Sequence, residues 1–158
     1  MANSKKKKDF VVLSHARHDD QCEVMKQISK GKFCPFCLKY VREAEKKSEI
    51  LPTIHAGKHW HVHENRWPYE NTRIHLLIIH TKHIEKIFEI TESAWKELLK
   101  IIVWAEKKYN LESGAIGMRF GDPKRNGATV DHLHLHITTA KVTDRENPDY
   151  KPVRFRMG

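Results

Sequence analysis

Three histidines, His132, His134 and His136, alternate with Leu133, Leu135 and Ile137 towards the end of the chain. In an extended strand successive side chains point to opposite faces, and residues two apart are separated by roughly 6–7 Å. The spacing therefore predicts three imidazoles on one face and three aliphatic anchors on the other. With a pKa of about 6.5, imidazole is largely neutral at cellular pH and needs no separate deprotonating partner to act as a nucleophile. That suits attack on phosphorus, with one ring attacking while its neighbours hold phosphate oxygens through polarised N–H groups. Neither a Gly-rich phosphate loop, a Walker pattern nor a dinucleotide fingerprint is present, so a phosphate must be held by other means.

Cys34 and Cys37 form a Cys-x-x-Cys pair. A closed tetrahedral zinc site needs two more ligands, and thiolate with imidazole is the combination zinc favours. The chain's 12 histidines supply candidates. Two free thiols and a redox pair are the alternatives, although the strand–motif–helix context of a redox pair is missing. Cys22 lies outside this motif and reads as a plain thiol. His59, His61 and His63 repeat the alternating pattern without neighbouring carboxylates or thiols, and read as an exposed strand face rather than a second metal site. Trp67 and Tyr69 either stack on a base or pack in the core.

These residues need a scaffold. Asp19 to Ile28 reads as a short helix stopped near Gly31, and Leu38 to Ser48 as a second helix. Leu51 to Ala56 and His59 to His63 read as strands about a Gly57 turn, and Ile74 to Ile79 as a strand that is central or covered on both sides. Thr91 is a good N-cap for a long helix in which Trp95, Leu98, Leu99, Ile102, Ala105 and Tyr109 recur at helical spacing. Ala115 to Phe120 and Thr129 to Thr138 follow as strands, divided by the polar turn 121–127. Strands, one long helix and more strands predict an α+β fold with an antiparallel sheet.

At 158 residues the chain suits one domain. The expected organisation is a disordered basic tail at 1–8, a domain over 9–143 and a C-terminal extension over 144–158 that is extended or loosely docked. Hydrophobic residues at 39% with 14 aromatic rings exclude wholesale disorder. No apolar run is long enough to span a membrane, and the expectation is a soluble, cytoplasmic protein. The net charge of +9 favours polyanionic partners, yet Lys5 to Lys8 account for much of it and no basic stripe follows.

His132-Leu133-His134-Leu135-His136-Ile137-Thr138 resembles the His-φ-His-φ-His-φ-φ signature of the histidine triad (HIT) superfamily. His75-Leu76-Leu77-Ile78-Ile79-His80-Thr81-Lys82-His83 resembles that family's strand ending in a Pro-Lys-x-His turn, and Gly127-Ala128-Thr129-Val130 its Gly-Gln-Ser/Thr-φ lead-in. The match spans roughly residues 33 to 139. The resemblance implies a HIT-like α+β fold with about five antiparallel strands, one long helix and shorter helices, and a homodimer. It implies His134 as a nucleophile that forms a nucleotidyl-histidine, His136 on the transferred phosphate or leaving group, and His132 orienting the nucleophile through its carbonyl. It places Asn65, His75 and Thr129 at the substrate. Members with the cysteine pair take two histidines as further zinc ligands, here His83 and His132, in a structural role. Ala128 stands where many members carry glutamine, and His80 replaces the usual proline.

Two functions follow. One is a nucleotide hydrolase or nucleotidyltransferase acting at an α-phosphate of dinucleoside polyphosphates, nucleotidyl conjugates or phosphoramidates. The other is a nucleotide- or nucleic-acid-binding module with little turnover.

Overall fold

The computed structural model describes residues 8–156; Lys5 to Lys7 of the basic tail lie outside them. Helices α1 (Asp19–Gly31) and α2 (Leu38–Lys46) precede strands β1 (His55–Ala56), β2 (Trp60–Glu64) and β3 (Thr72–His80). The long helix α3 (Glu92–Lys108) follows, then β4 (Ala115–Arg119), the one-turn helix α4 (Pro123–Asn126) and β5 (His134–Ala140). All strand pairs are antiparallel in the order β1-β2-β3-β5-β4, so the apolar run of β3 is central, as its composition predicts.

One face of this sheet carries Trp60, Val62, Leu76, Ile78, Leu135 and Ile137, and α3 covers it with Ala94, Leu98, Ile101 and Ala105. Each buried Leu or Ile contributes about 1.5–3 kcal/mol. Thr91 caps the helix by accepting from the Ala94 N–H at 3.3 Å, and Glu97 accepts from the His59 and Trp60 N–H groups, which fixes α3 to the start of β2. Gly57 leaves the space that the Glu97 carboxylate occupies. The helix buries the i, i+4, i+7, i+11 positions from Ala94. Trp95 and Leu99, expected on the apolar face, are exposed at 42% and 64%.

All five expected strands differ at their ends: His59 to His63 shifts by one residue to β2, and Ile74 to Ile79 lengthens to β3. Leu51 to Ala56 shortens to β1, because Glu45 of α2 takes the Thr53 N–H and hydroxyl and holds the segment to the helix. Ala115 to Phe120 ends one residue early, at Arg119. Thr129 to Thr138 divides: Val130 bridges Val11, residues 131–132 bend, and β5 begins only at His134 and runs on to Ala140. The N-terminal segment thereby clamps the lead-in of the histidine strand, joined by Met25, Ile28 and Cys34 in a second apolar cluster. Among the described residues no helix is long and apolar enough to cross a membrane.

Candidate active site and metal centre

The sheet face opposite α3 is polar. Register places His61, Ile79, His134 and Arg119 in one row across four strands, and His63, Leu77, His136 and Gly117 in the next. With α1 and α2 this face bounds a cleft of about 1070 Å³, whose wall includes Phe33, Phe36, Trp67, Thr129, His134 and His136.

The His134 ring is held from behind. Its Nδ1–H donates to the His132 carbonyl at 2.6 Å, which fixes the tautomer and leaves the Nε2 lone pair free. The edge-on Phe36 ring lies 5.1 Å away. Burial, aided by the Arg119 charge and opposed by the carbonyl contact, holds the His134 pKa down at about 4, so the ring stays neutral at cellular pH.

His136 sits in a chain of rings. Its Nδ1 lies 2.8 Å from His75 Nε2, and its Nε2 accepts from the Arg119 guanidinium at 3.2 Å. At the far end His75 Nδ1 accepts from the Tyr69 N–H at 2.9 Å. Both outer nitrogens must then be bare, and the inner pair has room for one proton. Two neutral rings carry two. Burial first, and the nearby Arg17 and Arg119 charges among further causes, hold His75 down at about 3 and His136 well below its ordinary value, so the pair remains neutral.

Cys34, Cys37, His83 and His132 bring four potential ligand atoms within 4.8 Å of one another. The His132 Nδ1 is 3.3 Å from the Cys34 sulfur and 3.9 Å from that of Cys37, and His83 Nδ1 is 3.6 Å from the latter. Tetrahedral zinc with bonds of about 2.3 Å to sulfur and 2.0–2.1 Å to nitrogen spaces its ligands by roughly 3.3–3.8 Å. Each imidazole has its other nitrogen occupied: His132 Nε2–H donates to the His80 carbonyl at 2.7 Å, and His83 Nε2–H to Glu85 at 3.2 Å. Both present Nδ1 lone pairs to the thiols, the tautomers a metal requires. Burial and then the Cys37 charge push the Cys34 thiol up to about 12, so two thiolates here call for a cation. The cluster fits a metal ion.

Other expected residues fall as follows. Asn65 accepts from the Trp67 N–H with its carbonyl and turns its amide to His75 at 3.3 Å; it braces the ring chain. Thr129 lines the cleft with its hydroxyl on the His15 carbonyl at 3.3 Å. His61 and His63, expected exposed, are 2% and 5% exposed, because they share the face of His134 and His136 and the segment before β1 returns over it, with Thr53 at 3.2 Å and the Leu51 carbonyl at 3.3 Å from the His63 ring. Tyr69 is buried against His75 and His136. The C-terminal extension is docked: Phe155 packs against Tyr69 and His136 and lies 3.9 Å from the Arg119 guanidinium. Sequence reading missed Arg17, Arg119 and Phe155. Nothing in the sequence singles out Arg119: its place on the histidine face follows from the β4–β5 register, which sets it opposite His134.

The HIT domain family model matches residues 70–142, a span that holds β3 to β5 and all three triad histidines but not Cys34, Cys37 or Asn65. A hypothetical protein from Leishmania major superimposes with a TM-score of 0.53 at 16% identity, over 78% of this chain and 84% of that one. A hypothetical histidine triad nucleotide-binding protein from Sulfolobus tokodaii gives 0.52 at 19%, over 78% and 80%. A HIT family hydrolase from Clostridium thermocellum gives 0.51 at 21%, over 72% and 96%. A comparison with curated proteins finds no match. At these identities the structural likeness speaks for the fold: the chain has a HIT-like α+β fold and carries a HIT domain match across the triad.

Proposed function

We propose that this protein belongs to the zinc-containing branch of the histidine triad superfamily and is a nucleotide hydrolase or nucleotidyltransferase that works through a nucleotidyl-histidine. The observation that carries the reading is the 2.6 Å contact from His134 Nδ1 to the His132 carbonyl, which reserves Nε2 of a neutral, buried ring for attack. In the first step the Nε2 lone pair forms a bond to the α-phosphorus, and the bond from phosphorus to the leaving group breaks with its electron pair. His136 takes up one proton together with the anionic substrate and passes it through Nε2 to the departing atom, which leaves the ring neutral, while Arg119 holds the phosphate oxygens. In the second step water or another acceptor attacks phosphorus, giving its proton to His136, and the phosphorus–nitrogen bond returns its electron pair to His134. The apolar wall of Phe33, Phe36 and Trp67 suits a nucleoside.

Zinc on Cys34, Cys37, His83 and His132 would be structural. It ties the N-terminal segment to the residue whose carbonyl orients His134, and the transfer steps remain with the histidines. The same reading carries a homodimer, supported by the exposed Trp95, Leu99 and Val103 on α3 and by Ile116 on the same side of the sheet.

The test is nucleoside monophosphate release from a panel of adenylyl, guanylyl and uridylyl conjugates. The wild type should release product and His134→Ala should lose at least about 10³-fold in rate while remaining folded. Retained turnover in that variant would remove His134 as the nucleophile. Nucleotide binding without release by the folded, zinc-loaded wild type would leave the binding-module reading.

A further inference from the structure

The wall that suits a nucleoside carries one aromatic ring held in a fixed plane. Trp67 lines the cleft, its indole N–H donates to the Asp20 carboxylate at 2.8 Å, and the Arg66 guanidinium lies 4.9 Å from the ring centroid. Asp20 belongs to the first turn of α1, so the helix sets the indole. Tyr69, two residues on and so within roughly 7 Å of chain, stacks against His136. The indole is therefore within a nucleoside's length of the triad.

Beside this ring is a buried side chain with an unpaired donor. Gln21, the next residue of α1, is 5% exposed. Its carbonyl oxygen accepts from the Arg17 N–H at 2.8 Å, which fixes the orientation of the amide. The NH2 end has no partner among the described residues, and the side chain lines the cleft. A buried amide donor left unpaired costs stability that a ligand acceptor restores. Other polar groups on this wall are occupied: His63 by His61 and the Leu51 carbonyl, and Asn65 by His75 and the Trp67 N–H. Glu49 and Glu64 are exposed. Arg17 lines the cleft too; it donates through Nη2 to the Trp67 carbonyl at 3.2 Å and lies over Tyr69 at 4.4 Å, which leaves further N–H groups available. Gln21 and Arg17 thus present donors to the cleft, and the Gln21 carbonyl, their own acceptor, is closed off.

We propose that Gln21 and Arg17 read the edge of a purine stacked on Trp67, and that they select a 6-oxopurine, guanine or hypoxanthine, over adenine. The inference rests on reading this cleft as a nucleotide site and names its base. A 6-oxopurine offers two neighbouring acceptors, O6 and N7, to the two donors. Adenine replaces O6 with an amino donor, which would face the Gln21 NH2. The usual way an amide reads adenine, accepting from the amino group and donating to N7, needs the oxygen that Gln21 gives to Arg17. On the same edge a pyrimidine offers at most one acceptor. Arg17, Asp20, Gln21 and Trp67 all precede residue 70, where the family match begins, so the base is read by segments outside the matched span.

Calorimetry with nucleoside monophosphates on the zinc-loaded full chain tests this without turnover. Guanosine and inosine monophosphate should each bind at least about tenfold more tightly than adenosine monophosphate. Gln21→Glu keeps an oxygen for the Arg17 N–H and replaces the NH2 with an acceptor, so the inosine-to-adenosine affinity ratio should fall at least about tenfold. Gln21→Met, neutral and of similar length, should bring the ratio near one and leave ribose 5-phosphate binding within about twofold of wild type. Should the methionine variant fail to fold, as a thermal melt would show, the glutamate variant decides. Equal wild-type affinities, an unchanged ratio in folded Gln21→Glu, or no binding of any of the three nucleotides would overturn the proposal. So would an equal loss of ribose 5-phosphate and inosine monophosphate binding in Gln21→Met, which would put the amide on the sugar or the phosphate. Release from guanylyl and adenylyl conjugates at equal kcat/KM would remove the base selection and leave the nucleotidyl reading intact. Discrimination in binding with no release from any conjugate would sink that reading and keep the base site.

Discussion

His134 and His136 share a strand face yet are prepared for opposite tasks. The His132 carbonyl holds a proton on Nδ1 of His134, which leaves the Nε2 lone pair free, the nucleophile of the proposed mechanism. His136 faces His75 on one side and Arg119 on the other, and in the proposed mechanism its Nε2 handles the proton of the leaving group. On the proposed mechanism, His136→Ala should cost about 10²–10⁴-fold in kcat/KM with a poorly departing alkoxide or amine. The loss should shrink with an aryl leaving group that departs without a proton. A series of leaving groups of graded pKa measures this as a steeper dependence in the variant. Equal losses across the series would move His136 from proton donor to a positioning role.

At the scale of elements, the site depends on segments that the family match does not include. The loop between α1 and α2 brings Cys34 and Cys37 to His83, after β3, and to His132, before β5. The bend at 131–132 turns His132 to that cluster while its carbonyl serves His134. Metal removal should therefore loosen the catalytic strand. We expect a strong chelator, or Cys34→Ser, to lower the melting temperature by roughly 5–10 °C, the effect of a ligand present at about a hundred times its dissociation constant. Cys22→Ser should leave it unchanged. A metal assay of the purified chain alongside the melt distinguishes loss of zinc from loss of packing.

For the whole molecule, burial of the polar sheet face links folding to pH. His61 and His75 are held down at about 4 and about 3, and His136 is held well below its ordinary value, in each case first by burial. The unfolded chain binds protons at these rings near pH 6.5 and the folded chain does not, so stability rises with pH through this window. Urea unfolding should show full stability above about pH 6.5 and a continuous decline towards pH 4, and a flat response from pH 6.5 to 5 would mean that these rings are not buried. Assembly is a second property at this scale. Sedimentation should give a homodimer, and Leu99→Glu, placed on the exposed face of α3, should shift it towards monomer. A monomeric wild type would reject that assembly.

Alternation alone determined that His134 and His136 share a face, and the apolar period determined that α3 and a central β3 exist, because both patterns express local backbone geometry. The Cys-x-x-Cys pair could be read as a metal site for the same reason, since ligand chemistry is written in residue type. Residue type left the His61 and His63 environment open, because a polar strand face reads alike whether water or the returning 51–53 segment covers it. Arg17, Arg119 and Phe155 were not legible as parts of the site. Their positions depend on a hairpin register, on an N-terminal segment clamped over the strand and on a C-terminal arm returning across the sheet, contacts between residues far apart in the chain. The guanidinium beside His136 and the donors of Arg17 and Gln21 beside Trp67 were decided only when the tertiary structure brought these segments together around a pocket.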